Sequence, residues 1–351
     1  MSGPWLCGVC VVVATGCSSV AAPPELSATI WKREVAQYEP LLVRIELRHT
    51  SPEPLRLVPP YPSAGWPLDF SIQSADGRWL RSPRSAGSLP LQAQGLPWWV
   101  PRGPAIKPSY PGRRPWDLPP GAVAFMWLDL LRFYPLVQPG RYHIVFHYDP
   151  EARMLARGEG EPPPEGVWEG HLEADAGWIT LREPEEADRE AAVLLREYRD
   201  RYRLALSTVR DADALRRELL ERFPGSPYVP YAAFYDLWSR ARMMYMAGDT
   251  AELQAQAEQF AVDHAEFPLN YQLPVILRYG EWRQAAGRAS VLADPPVPLP
   301  QPEAAQAAVR EALERGRALR QAAAATGDYE LAAMVEEEVG GFESRFGPLG
   351  Q

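Results

Sequence analysis

Between residues 26 and 181 the apolar positions recur mainly at every second residue. In Leu41-Leu42-Val43-Arg44-Ile45-Glu46-Leu47-Arg48, positions 41, 43, 45 and 47 are apolar while 44, 46 and 48 are charged. Successive side chains of an extended strand point to opposite faces, so this alternation predicts a half-buried strand of an antiparallel sheet. Phe70 and Ile72 alternate likewise, and Ala75-Asp76-Gly77-Arg78 supplies a turn before Trp79 and Leu80. Further strands are predicted over 123–128, 141–148, 167–174 and 178–181. Short alternating strands separated by turn signals predict a β-sandwich.

At Pro184 the period changes to that of a helix. One helix is predicted over 185–206, with Leu194, Leu195, Tyr198 and Tyr202 on neighbouring turns. Asp211 is the expected N-cap of a second, which carries Leu215, Leu219 and Leu220 and stops at Phe223-Pro224-Gly225. A third covers 230–247 and ends at Gly248, and Asp249 opens a fourth that runs to about His264. Alanine-rich helices follow over 303–325 and 329–339. Gly248-Asp249 recurs as Gly327-Asp328, a faint internal repeat spanning about two helical hairpins. The expected fold is therefore multidomain, β then α: an antiparallel sandwich over 26–183, then a helical hairpin-repeat or bundle domain over 184–351.

The length of 351 residues accommodates two such cores. A net charge of −9 argues against a nucleic-acid partner for the whole chain. The three cysteines, Cys7, Cys10 and Cys17, all fall in the first 17 residues. No disulfide and no thiolate metal site can therefore form after Cys17. Cys7 and Cys10 have CxxC spacing, but they sit in a bare apolar segment rather than in the fold a redox pair needs.

That segment, WLCGVCVVVA at 5–14, carries no charge, is too short to span a bilayer, and fits the apolar region of a signal peptide. With Ala14-Thr15-Gly16-Cys17 behind it, the N-terminus resembles that of bacterial lipoproteins. Ala14 stands where that family prefers leucine, and the first basic residue is Lys32. The resemblance implies a signal peptide over 1–16, cleavage before Cys17, and a lipid on the Cys17 thiol. Residues 17–25 then form the lipidated tether, whose SSVAAPPE sequence is that of a short flexible linker. The implied location is the cell envelope, with the chain exported and held on a membrane through the lipid, in the outer membrane where the bacterium has one.

Two further resemblances concern the folded parts. LPPG at 118–121, WLDL at 127–130 and QPGRYHIVF at 138–146 resemble immunoglobulin-like domains of secreted bacterial proteins, including the proteinase-inhibitor type. VWEGHLEADAGWITL at 167–181 resembles their last hairpin. ERFPGSPYVPYAAF at 221–234 and YMAGDTAEL at 245–253 resemble tetratricopeptide units of envelope lipoproteins. The usual tryptophan–leucine–glycine signature of those units is incomplete here.

Candidate chemistry is sparse. HExxH, GxSxG, Walker A and a helix-preceding GxGxxG are all absent from the sequence. His143 and His147 read HxxxH, but they alternate with Tyr142, Ile144, Phe146 and Tyr148. The segment is thus a strand, and four residues of strand separate the two imidazoles by about 13 Å, too far for one ion. His171, Glu173 and Asp175 should share one side of a strand, ~7 Å apart, with no second histidine evident, so the row is expected to be a solvated outer face rather than a cation site. No metal or cofactor is expected. Residues 82–120 contain ten prolines. They interleave these with Trp98, Trp99, Arg102, Tyr110, Arg113, Arg114 and Trp116. Long proline-stiffened loops with aromatic and arginine side chains suit recognition of an acidic or glycan surface, and the alternative is a loop folded back with its tryptophans buried.

The expected function is a non-catalytic binding or assembly module in the cell envelope, with an unidentified envelope protein or glycan as partner. The alternative is a protease-inhibitor-like or enzyme-accessory secreted protein. A hydrolase using paired carboxylates is the third class, and spacing alone cannot reveal such a pair.

Overall fold

The computed structural model describes residues 23–57, 68–81, 116–134, 136, 138–148, 168, 170–204, 209–244, 249–293 and 302–347. Its strands are β1 (Glu25–Ile30), β2 (Glu34–Ala36), β3 (Leu42–Arg48), β4 (Leu55–Leu57), β5 (Leu68–Ser74), β6 (Trp79–Arg81), β7 (Trp116–Leu118), β8 (Val123–Asp129), β9 (Gly140–Tyr148) and β10 (Leu172–Arg182). A short helix, α1 (Leu130–Phe133), follows β8. Among the described residues, seven longer helices come after the strands: α2 (Arg189–Leu204), α3 (Val209–Arg222), α4 (Val229–Met243), α5 (Thr250–Asp263), α6 (Leu273–Ala293), α7 (Pro302–Ala325) and α8 (Tyr329–Phe346). A β region followed by an α region is what the change of period at Pro184 predicts. No helix among the described residues is long and apolar enough to cross a membrane.

The sheets are open. One has the order β1-β3-β8, a second β2-β10-β9-β5-β6, and β4 pairs with β7. All pairings are antiparallel except β2 with β10, which is parallel. The alternation in β3 is realised as read: Val43, Ile45 and Leu47 are buried in one cluster with Met126 and Leu128 of β8 and with Phe70, Ile72, Ile144 and Phe146 of the opposite sheet. Period-two burial on two facing sheets is the core of a sandwich.

Several boundaries differ from the sequence reading. The described residues 170–181 do not form a hairpin. Residues 172–182 are one continuous strand, β10, and Ala176-Gly177 makes a bulge in it rather than a turn. A Gly with positive φ serves a bulge as well as a turn, so the local signal is the same for both. Asp211 lies inside α3, not at its cap, because the helix starts at Val209. Helix α8 continues past residue 339 to Phe346. Helix α6 escaped the periodicity reading altogether. Its 21 residues are apolar on most sides, and Tyr279 and Trp282 are buried in the middle of the helical core. A helix packed on several faces loses its polar stripe and with it the 3.6 period. Asp249 does cap α5, accepting from Ala251 N–H at 2.8 Å, and Asp328 caps α8, accepting from Leu331 N–H at 3.1 Å. The two aspartates of the faint repeat thus share a role.

The α region rests on the three-stranded sheet and on the turn after β2. Leu42 belongs to the helical core, with Trp31 and Trp127 packed against it. The Trp31 ring meets Tyr231 and Phe267 edge-on, at 6.1 and 5.6 Å between centroids. Ala36 is buried among α2, α3 and α4 residues. At the centre of this joint Glu39, only 3% exposed, accepts from Lys32 Nζ at 2.8 Å, from Tyr231 O–H at 3.0 Å and from Ala36 N–H at 3.0 Å. Burial, reinforced by this carboxylate, pushes the Tyr231 phenol far above its ordinary pKa, so it stays a donor. A second joint lies at residues 327–328, where Phe125 N–H donates to Gly327 O at 3.1 Å. Gly327 has φ +74°, and a Cβ there would stand 3.2 Å from the Phe125 ring.

Replacing Glu39 with Ala should lower stability by about 1–3 kcal/mol for each buried donor left unsatisfied, the Tyr231 hydroxyl and the Ala36 amide. Tyr231→Phe, which leaves Glu39 with its other two donors, should cost less. Chemical denaturation of the two variants checks the ranking, and equal costs would show that Glu39 does not hold the joint.

Candidate functional site

Among the described residues, the outer face of the five-stranded sheet carries the one group of three histidine and carboxylate side chains close enough to share an ion. On β9 the buried positions are Tyr142, Ile144, Phe146 and Tyr148, so Arg141, His143, Val145 and His147 face outward. On β10 Glu173 and Asp175 face the same way before the bulge, and Trp178 after it. Cross-strand register sets Glu173 opposite His147 and Trp178 opposite His143. On the other side of β9, Asp69 pairs with His147 and Gln73 with His143.

Two separate clusters result. In the first, His143 Nε2 lies 2.8 Å from Asp175 Oδ1, and the His143 ring lies against Trp178 at 5.1 Å with 31° between planes. Arg141 approaches the same indole at 5.3 Å. In the second, His147 Nδ1 and His171 Nε2 both approach Glu173 Oε1, at 3.1 and 3.3 Å, and the two imidazoles stack at 6.1 Å. His147 Nε2 lies 3.1 Å from the buried Ser71 hydroxyl. The hydrogen bond from His171, with His147 adding to it, holds the Glu173 carboxyl below the usual range, against a smaller opposing effect of burial.

The sequence reading placed His171, Glu173 and Asp175 on one outward side, and they lie there. It separated His143 from His147 as ligands of one ion, and each indeed pairs with a different carboxylate. What it missed is the second histidine beside Glu173, which comes from the neighbouring strand. Only the register of β9 against β10 brings His147 there, and no sequence spacing encodes that register. Trp98, Trp99, Arg102, Tyr110, Arg113 and Arg114 lie outside the described residues, as does Cys17. Trp116 begins β7, with its backbone opposite Leu57. Strand β7 thus belongs to the sheet framework.

A concave surface between α6 and α7 is lined by Arg278, Glu281, Glu311, Glu314, Arg315 and Ala318. Its charges pair, Arg315 across it with Glu281 at 3.6 Å and along α7 with Glu311 at 3.1 Å. Such exposed pairs largely neutralise one another. No protein-family model matches the chain, and no curated protein matches it either.

The bulge inside the first cluster, between Asp175 and Trp178, is locked at Gly177, with φ +85°. Asp175 Oδ1 accepts from Gly177 N–H at 2.7 Å, and Arg33 Nη1 donates to Trp178 O at 3.2 Å and Ala176 O at 3.4 Å. A Cβ at 177 would stand 2.8 Å from Arg33 Nη1. Gly177→Ala should therefore cost about 1–2 kcal/mol, the ordinary penalty for an L-residue in the left-handed region. It should also displace Trp178, a change visible in tryptophan fluorescence of the folded protein. A variant as stable as wild type with unchanged emission would mean that the bulge does not depend on glycine.

Proposed function

We propose that the chain is a cell-envelope lipoprotein that acts as a non-catalytic binding or assembly module. The observation that carries this reading is Cys17, placed directly after a ten-residue uncharged apolar run and Thr15-Gly16, in a chain with no cysteine beyond it. A lipid on that thiol holds the sandwich near a membrane surface, with residues 18–25 as tether. One acyl chain anchors weakly and two anchor firmly, so a diacylglyceryl group suffices for stable attachment. The tetratricopeptide-like helical hairpins serve as scaffold. The proline-, tryptophan- and arginine-rich segment around Trp98, Trp99, Arg102, Tyr110, Arg113, Arg114 and Trp116 supplies contacts to an envelope protein or glycan. Aromatic and arginine side chains dominate binding energy at protein interfaces, which supports that role.

Replacing Cys17 with Ala should move the protein from the membrane fraction to the soluble fraction. A wild-type chain that fractionates as soluble, with residues 1–16 still attached, would end the anchor reading.

The recognition segment has its own test. Trp98→Ala combined with Trp99→Ala should leave the melting temperature nearly unchanged. Reversing Arg113 and Arg114 to Glu should do the same. Buried tryptophans behave otherwise: truncating one costs about 3–5 kcal/mol. An early unfolding confined to the tryptophan variant would therefore assign the segment to a packed role instead.

A further inference from the structure

The cluster at the end of β9 and the start of β10 has the donor set of a metal site. Two imidazole nitrogens approach one carboxylate oxygen, Glu173 Oε1, at 3.1 and 3.3 Å. One ligand atom from each of His147, His171 and Glu173 lies within 4.8 Å of the other two. Zinc holds nitrogen and oxygen at about 2.0–2.2 Å, so neighbouring ligand atoms of a tetrahedral site stand roughly 3.3–3.6 Å apart. Two of the three edges are already close to that length. The third, between the imidazoles, closes by rotation of His171, whose side chain is half exposed.

The support behind the cluster is also that of a ligand set. A histidine that binds metal through one nitrogen is usually held by a hydrogen bond at the other. His147 Nε2 has such a partner in the Ser71 hydroxyl at 3.1 Å, on the strand that flanks β9 from the other side. With an ion bound, Nε2–H donates to Ser71 and Nδ1 gives up its hydrogen-bond contact with Glu173 to offer a lone pair to the metal. The His143–Asp175 pair on the same face brings together only one imidazole and one carboxylate, beneath Trp178. It provides an internal comparison.

We propose that His147, His171 and Glu173 form a surface site for one divalent ion of the zinc class, with water completing the coordination. Imidazole ligands select zinc, nickel and copper over magnesium and calcium, which prefer all-oxygen shells. The exposure of His171 and Glu173 leaves the remaining coordination positions open to solvent. This site is independent of the lipoprotein reading and stands or falls separately from it.

Calorimetric titration of the full-length chain with zinc alone tests the proposal. Cys7, Cys10 and Cys17 can also take up zinc, so the informative quantity is the difference between variants. His171→Ala should bind one equivalent of zinc fewer than wild type. Glu173→Gln should weaken that equivalent at least tenfold, and His143→Ala should retain it at wild-type affinity. Excess magnesium should not displace it. Circular dichroism of the variants should match wild type, since His171 and Glu173 lie on the solvent face. The site is overturned if wild type binds no zinc, if His171→Ala binds as much as wild type, or if His143→Ala loses the same equivalent.

Discussion

A carboxylate sealed from water is tolerable only when donors surround it, and the arrangement of this protein turns on that constraint at Glu39. Its three donors come from three places: the amide of Ala36 in the same turn, the ammonium of Lys32 just before β2, and the hydroxyl of Tyr231 on α4. The first two are local and form with the turn. The third exists only when α4 is docked, so the helical region completes the solvation shell of a group that belongs to the sandwich. Leu42 and Ala36 are then buried among helical residues, and the partly buried Trp31 packs against the same helical core. Tyr38 occupies the left-handed region at φ 68°, an uncommon place for an aromatic residue. The same turn is tied down from outside by Tyr228 O–H to Gln37 O at 2.9 Å and by Gln37 N–H to Arg182 O at 2.8 Å.

Asp328 does similar work at the other joint. One oxygen caps α8 through Leu331 N–H, and the other accepts from Tyr271 and from Gln272 Nε2. Its neighbour Gly327 accepts the Phe125 amide of β8. A single helix cap thereby fixes α8 against both the sheet and the segment before α6. Phe125 is held between Tyr271, at 5.5 Å, and the Arg44 guanidinium, at 4.2 Å. With the three-stranded sheet covered in this way, the outer face of the five-stranded sheet is the one that presents imidazoles, carboxylates and Trp178 to solvent.

That outer face follows from period-two geometry taken across strands. Along β10 and the residue before it, His171, Glu173 and Asp175 form an ordinary polar row. Antiparallel pairing with β9 inserts His147 beside Glu173, and the bulge at Gly177 places Trp178 over His143. Pairs directly opposite in a sheet interact most strongly, so register decides which groups can act together.

The sequence by itself determined which residues are inward and which outward on β3 and β9, and the inward Phe70 and Ile72 of β5, because burial of one sheet face imposes alternation. It also located the passage from strands to helices at Pro184 and the cap at Asp249, since these depend on neighbours a few residues away, although the same local signal misplaced a cap at Asp211. The tertiary structure alone decided the rest. Ala176-Gly177 became a bulge because β9 continues alongside β10, α6 became a helix because its partners bury it from several sides, and His147 met His171 and Glu173 because of register. In each case the deciding contact joins residues distant in the chain, and local periodicity carries no information about such a contact.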